Sequence, residues 1–192
     1  MQKMNIVIFA SGNGTNAQRI IEYFSTVTDI DVAGVVYNRK DAFVAQRAQK
    51  LGVEARYFSK KDFDDGAELM AYLHEKKTDH IVLAGFLLLV PPYLLKAFPQ
   101  RIVNIHPALL PKYGGKGMYG SHVHEAVIAH HERESGITIH IVDNLYDHGR
   151  TLFQAKCDVT PDDTPDTLAQ KIHLLEQKYF PGVIEQWIRD NR

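Results

Sequence analysis

The sequence predicts an α/β protein of Rossmann-like type, with a mainly parallel sheet, helices on both faces and an antiparallel C-terminal part. Three observations predict it. Short apolar, β-branched runs such as MNIVIFA and DHIVLAGF alternate with amphipathic segments through the first half of the chain. The connections between these runs are long enough to hold a helix, which lets successive strands lie parallel. After Pro107 the alternation stops, and GITIHIVDN and TLFQAKCDV follow one another across the short stretch LYDHGR. So short a connection cannot make a parallel crossover, so this part includes an antiparallel strand.

Met4–Ala10 is an apolar run rich in β-branched residues, broken only by Asn5, and reads as a strand buried on both faces. SGNGTN turns the chain into a helix over Ala17–Phe24. A second strand covers Asp31–Asn38, and the helix after it starts at the candidate cap Asp41 and stops at Gly52. Val53–Phe58 is a short third strand. DFDDGAELMAYLHEKK reads as one helix, acidic at its start and basic at its end as the helix dipole favours. Asp79–Ala84 is the fourth strand, PPYLLKAF a short helix opened by proline, and RIVNIH the fifth strand, with Asn104 and His106 at its C-terminal end. Beyond it come a glycine-rich loop, KYGGKGMYG, and a helix, SHVHEAVIAHH. Strands follow near Gly136–Asp143 and Leu152–Val159. One or two closing helices complete the chain, with Thr164 as N-cap and Pro165 at the first helical position.

Composition narrows the function. The 192 residues carry a net charge of −1 and are 45 % hydrophobic, the make-up of a globular domain with a real core. A balanced charge argues against a nucleic-acid partner bound through a basic surface. The single cysteine, Cys157, permits no intrachain disulfide and suits a reducing compartment. The N-terminal apolar run is too short for a signal peptide, and no stretch has the length of a membrane span, so a cytoplasmic protein without a membrane partner is expected.

Two local motifs carry chemistry. SGNGTN, Ser11–Asn16, follows a strand and opens a helix, where backbone N–H groups and the dipole hold a phosphate. It lacks the third glycine of the dinucleotide fingerprint and the lysine of a P-loop, and its plainer reading is a tight turn. In NIHPALLPKY, Asn104 and His106 are two residues apart and so share one side of a strand end, where open α/β sheets bind ligands. A carboxamide N–H there stabilises an oxyanion, and an imidazole exchanges a proton near neutral pH. The alternative is an asparagine that satisfies its own turn beside a satisfied histidine, and spacing does not choose between the two. Asp147, in the loop LYDHGR, is placed to orient His106 and raise its pKa, or else is a turn aspartate before a glycine. The ten histidines include the pairs His122/His124 and His130/His131, but residues two apart do not share a helix face. With no cysteine pairs and no H-E-x-x-H motif, no metal is expected.

ASGNGTN, VLAGF, NIHPALLPKY, SGITIHIVDNLYDHG and LLEQKYFP together, in order from Met4 to about Trp187, resemble the folate-dependent formyltransferases. Among these, the chain is similar to the phosphoribosylglycinamide formyltransferase family of purine biosynthesis, and the GKGMYG loop resembles one of its branches. The resemblance implies one domain over 1–192, with a nucleotide-binding half, 1–103, and a catalytic and folate-binding half, 104–192. It implies transfer of the formyl group of 10-formyltetrahydrofolate, the co-substrate, to the amine of glycinamide ribonucleotide. Asn104, His106 and Asp147 match the catalytic positions. Gly14, Thr15, Asn16 and Glu176 match the ribonucleotide site. Lys60, Leu87, Leu88, Leu89, Val90, Asn104, Asp143, Asn144 and Asp147 match the folate side. It also suggests a cis bond between Leu110 and Pro111. The chain departs from the pattern in three places. Asp147 is followed by His148, Gly149 and Arg150 where many members have glycine and proline. FLLLVPP has no arginine, and Lys60 stands where some members carry one. Formyltetrahydrofolate hydrolase carries a domain before the first strand, and methionyl-tRNA formyltransferase one after the last helix. The short flanks here lead to the expectation of the glycinamide ribonucleotide enzyme.

Overall fold

The computed structural model describes residues 3–191. Seven strands form one sheet in the order β3-β2-β1-β4-β5-β6-β7. The chain divides into two units, Met1–Val103 and Asn104–Arg192.

In the first unit, β1 (Met4–Ala10) pairs in parallel with β2 (Ile30–Tyr37) on one side and β4 (His80–Leu83) on the other, and β2 pairs in parallel with β3 (Ala55–Tyr57). Neighbours on both edges leave β1 no solvated side, and Ile6 to Ala10 are fully buried. At about 1.5–3 kcal/mol for each large apolar side chain removed from water, this strand anchors the unit. The helix α1 (Thr15–Phe24) buries Ala17, Ile20, Ile21 and Phe24, a spacing that makes one apolar stripe.

Three elements of this unit differ from the sequence reading. The helix α2 (Val44–Lys50) has Phe43 rather than Asp41 at its N-cap. Asp41 sits in the preceding turn and pairs with Arg39. The strand β3 is shorter than Val53–Phe58, because the Val53 amide closes the end of α2 on Ala48 O instead of joining the ladder. The long helix is two, α3 (Lys60–Asp65) and α4 (Ala67–Glu75). Gly66 adopts φ 80, in the left-handed region, and both ends α3, donating to Asp62 O, and starts α4, accepting from Met70 N–H. The start of α3 is fixed by a capping box between Ser59 and Asp62. A short helix α5 (Pro92–Ala97) leads to β5 (Ile102–His106).

In the second unit, α6 (Ser121–Ala129) precedes the hairpin of β6 (Glu134–Ile141) and β7 (Thr151–Asp158). The hairpin is antiparallel, and its register shifts between Ile139 and His140. A shift of this kind re-aims the side chain that follows it. The closing segment is a single helix, α7 (Pro165–Asp190), capped by Thr164 through a box with Thr167. Pro181 lies inside it without ending it, held in the buried face with Phe180, Ile184 and Ile188. Among the described residues no helix is long and apolar enough to cross a membrane.

Candidate active site

The end of β5 carries Asn104, half-buried, and His106, buried. The Asn104 amide nitrogen Nδ2 lies 3.1 Å from His140 Nε2, and His140 Nδ1 lies 3.1 Å from Ile141 O. A carbonyl only accepts, so Nδ1 of a neutral His140 bears the hydrogen and Nε2 accepts from Asn104. One N–H of the Asn104 amide is thereby engaged, which aims the carboxamide and leaves its second N–H as a donor.

His106 is fixed in a similar way. Its Nε2 lies 2.7 Å from Tyr113 O and must donate to it, so the exchangeable position is Nδ1. Nδ1 faces Asp147 Oδ1 at 3.4 Å. The same oxygen is 3.6 Å from His140 Nε2, and Asp147 Oδ2 accepts the Gly115 N–H at 3.0 Å. Asn104, His140, Asp147 and His106 therefore form one polar chain inside the second unit. Asp147 sits at φ 55, a left-handed conformation that aspartate tolerates better than most residues.

Burial and charge oppose each other here. Burial pushes the His106 pKa down, and this outweighs the upward push of Asp147 and of the bond to Tyr113 O. The sequence reading had Asp147 raise it, and the net direction is the reverse, because desolvation of the imidazolium is the larger effect. For Asp147, burial pushes upward, but the His140 imidazole, the His106 charge and the Gly115 amide together hold the carboxyl below its ordinary value. The pair is thus set with Asp147 ionised and His106 able to accept a proton.

Two further groups of the second unit act on this pair. Glu176, on α7, lies 3.3 Å from His173 Nδ1, and its charge pushes both His106 and His124 upward. His124, on α6, is buried, and its Nδ1 has no hydrogen-bond partner. Sequence reasoning weighed His124 only as a metal ligand, and placed His140 on the strand leading into the Asp147 loop without giving it a role. The signal for His140 was its alternation with Thr138 between Ile137, Ile139 and Ile141. Among the described residues no group of three or more histidine, cysteine, aspartate or glutamate side chains is arranged to hold a metal ion.

In the first unit, Gly14 is the N-cap of α1 at φ 78, and a Cβ there would run into Val44. Thr15 and Asn16 begin the helix. Arg47, which sequence reasoning missed, donates from Nε to Asn13 O at 2.8 Å and from Nη2 to Asn13 Oδ1 at 2.9 Å, bracing the turn from α2. The buried Ser11 hydroxyl accepts the Leu87 N–H at 2.9 Å. Leu87 and Leu89 are exposed, Leu88 is half-buried and Val90 is buried. Lys60 is exposed and pairs with Asp64 at 2.6 Å. In the second unit, Asp143 accepts the Leu145 N–H and lies 3.1 Å from His148 Nδ1, shaping the loop that carries Asp147, while Asn144 is exposed. The Leu110–Pro111 bond is cis.

Comparison with known proteins adds to this geometry. A family model described as formyl transferase matches residues 4–184. The chain is 41 % identical over 189 residues to a chloroplastic phosphoribosylglycinamide formyltransferase of Arabidopsis thaliana, covering 95 % of the chain and 65 % of that protein. It is 34 % identical over 194 residues to the phosphoribosylglycinamide formyltransferase of Escherichia coli K12, covering 98 % and 89 %. The crystal structure of phosphoribosylglycinamide formyltransferase from Streptococcus pneumoniae superposes with a TM-score of 0.85 at 38 % identity, covering 98 % of this chain and 99 % of that one. The chain spans less than two thirds of the length of the plant relatives it matches. The matched stretch takes in every residue of the Asn104–His140–Asp147–His106 chain, and the protein belongs to the formyl transferase family.

Proposed function

We propose that the protein transfers the formyl group of 10-formyltetrahydrofolate to the amine of glycinamide ribonucleotide, yielding formylglycinamide ribonucleotide and tetrahydrofolate, as a cytoplasmic step of purine biosynthesis. The observation that carries the proposal is the chain of Asn104, His140, Asp147 and His106, in which hydrogen-bond donors and a half-buried loop carboxylate meet beside the end of β5. That donor set suits acyl transfer to an amine. The amine nitrogen forms a bond to the formyl carbon, and the bond from that carbon to the folate nitrogen breaks. The negative charge that develops on the formyl oxygen calls for N–H donors, and Asn104 offers one. The attacking amine loses a proton and the leaving folate nitrogen gains one. His106 takes it at Nδ1, where Asp147 stabilises the imidazolium, and passes it on.

The division of labour follows the chain. The first unit would hold the ribonucleotide phosphate on the N–H groups of Gly14, Thr15 and Asn16, where the dipole of α1 favours an anion. The second would supply the chemistry, with Glu176 toward the ribonucleotide. Leu87–Val90, Lys60 and the loop from Asp143 to Asp147 would receive the folate. The relatives named phosphoribosylglycinamide formyltransferase support the choice of acceptor. The deciding assay follows the absorbance change as 10-formyltetrahydrofolate loses its formyl group. Turnover that requires glycinamide ribonucleotide supports the reading. Equal turnover without it would indicate hydrolysis and overturn it.

A further inference from the structure

We propose that Tyr113, anchored through its hydroxyl to Glu132, is a positioning residue that fixes the ring orientation and tautomer of His106. The inference rests on the formyl-transfer reading only for its kinetic consequence. Its structural content stands on the second unit alone.

The Tyr113 carbonyl takes the Nε2 hydrogen of His106 at 2.7 Å, the shortest polar contact that His106 makes. Two residues on, Gly115 N–H donates to Asp147 Oδ2 at 3.0 Å. One turn of backbone therefore grips both members of the pair, the imidazole from one side and the carboxylate from the other. The turn is not self-supporting, because Tyr113 sits at φ 56, a conformation that an aromatic residue keeps only when its surroundings hold it there. What holds it is the far end of its side chain. The phenol donates to Glu132 Oε1 at 2.9 Å, and His130 Nδ1 lies 3.0 Å from the phenol oxygen itself, with the two rings 5.6 Å apart. Glu132 is itself held by Lys112, the residue before Tyr113, at 2.9 Å. Partial burial, then the Glu132 bond and charge, push the Tyr113 hydroxyl up to about 12, so it remains a donor throughout the working range.

The anchor matters because of what the alternative tautomer would do. With Nε2–H fixed on Tyr113 O, the lone pair of neutral His106 is at Nδ1, beside Asp147. If the carbonyl moved away, the hydrogen would pass to Nδ1, where the carboxylate attracts it, and the ring would no longer be ready to accept a proton there. The other groups acting on His106 come from three elements, His140 on β6, His124 on α6 and Glu176 on α7, together with the Asp147 loop. It is the Tyr113 carbonyl that meets Nε2.

The test combines nuclear magnetic resonance of the labelled His106 ring with kinetics, on Tyr113→Phe, Glu132→Ala and their double variant. Glu132→Gln, which keeps an acceptor at the same reach, serves as the conservative rescue. The parent ring should show Nε2–H in its neutral form. In Tyr113→Phe and Glu132→Ala the ring should mix tautomers and its titration should move to lower pH, because a bond favouring the charged form is weakened. kcat should fall about tenfold, the effect of one net hydrogen bond, with KM for both substrates little changed. The double variant should be no worse than either single one, since the two groups act in series. Glu132→Gln should stay near the parent. If the ring keeps its tautomer and titration in the variants, the proposal is overturned, whether or not kcat falls. Should the parent transfer no formyl group, the ring measurements still decide the role of Tyr113, and only the proposed function fails.

Discussion

Replacing Asp147 with asparagine removes one charge and little else. The φ of 55 at this position suits asparagine as well as aspartate, so the loop keeps its path, and an amide oxygen can still accept the Gly115 N–H. The size of the effect follows from the distance. At 3.4 Å, a full unit charge acting on His106 Nδ1 through an effective dielectric constant of about 20 is worth ~5 kcal/mol. The carboxylate divides its charge over two oxygens and shares Oδ1 with His140, so about half, roughly 2.5 kcal/mol, is the working figure. Asp147 is the largest of the groups that push His106 up, so its removal leaves burial with less to oppose it and the ring becomes still less basic. The His106 titration should move toward acid. Turnover should fall by a factor approaching roughly a hundred if the proton is taken up in the rate-limiting step, since about 2.5 kcal/mol of barrier corresponds to that. The assay is formyl transfer across pH beside a resonance titration of the ring, with circular dichroism to confirm the fold. An Asp147→Asn protein that is folded, titrates like the parent and turns over at a near-parent rate would refute the proposed coupling.

The remaining expectations are separable. Asn104→Ala should lower kcat by about 10²–10³, the usual effect of losing one oxyanion donor, while ribonucleotide binding measured by calorimetry survives. Gly14→Ala meets both a left-handed backbone and the Val44 side chain, so it should weaken the affinity for glycinamide ribonucleotide and for inorganic phosphate, with the fold retained. Thr164→Ala removes the cap of α7 and should cost about 1 kcal/mol in urea unfolding, with kcat unchanged. Asp163 accepts from Thr160, Thr167 and Lys171, and the Lys171 ammonium first among these holds its carboxyl far below the ordinary range. A depressed carboxyl stabilises the fold above its unfolded pKa and loses that contribution as pH falls through the folded one. Asp163→Asn should therefore flatten the acid limb of the stability curve below about pH 4.

Much of this molecule is legible in its residues, and the exceptions have physical causes. β1 is read from sequence because burial on both faces leaves one composition, and Met4–Ala10 is apolar throughout but for Asn5. The start of α7 is read from Thr164 and Pro165 because a capping box is local chemistry. Gly66 was visible as a letter, but its splitting of one helix into two depends on a φ that the flanking acidic and apolar pattern does not reveal. The site was half legible. Asn104 and His106 share a strand end by alternation alone. That Asp147 lies 3.4 Å from His106 is a tertiary fact spanning 41 positions, and the sequence offered it only as one of two readings of a loop aspartate until the resemblance was added. The Tyr113 carbonyl was not legible at all, because any residue has a carbonyl and only the backbone path decides which one meets an imidazole.

A single oxygen atom, Asp147 Oδ1, faces two imidazoles while the residue itself stands in a loop rather than on a strand or helix. The position of that loop and the number of hydrogens bound at the site are therefore one variable, not two. A molecule that shifts the carboxylate as it binds changes the proton affinity of the facing imidazole, and so exchanges hydrogen ions with the medium at any pH where that ring is part-protonated. The heat of binding then contains the heat of ionising the buffer. Titrations in two buffers of different ionisation enthalpy would count those ions directly, before any bond in the substrate has changed.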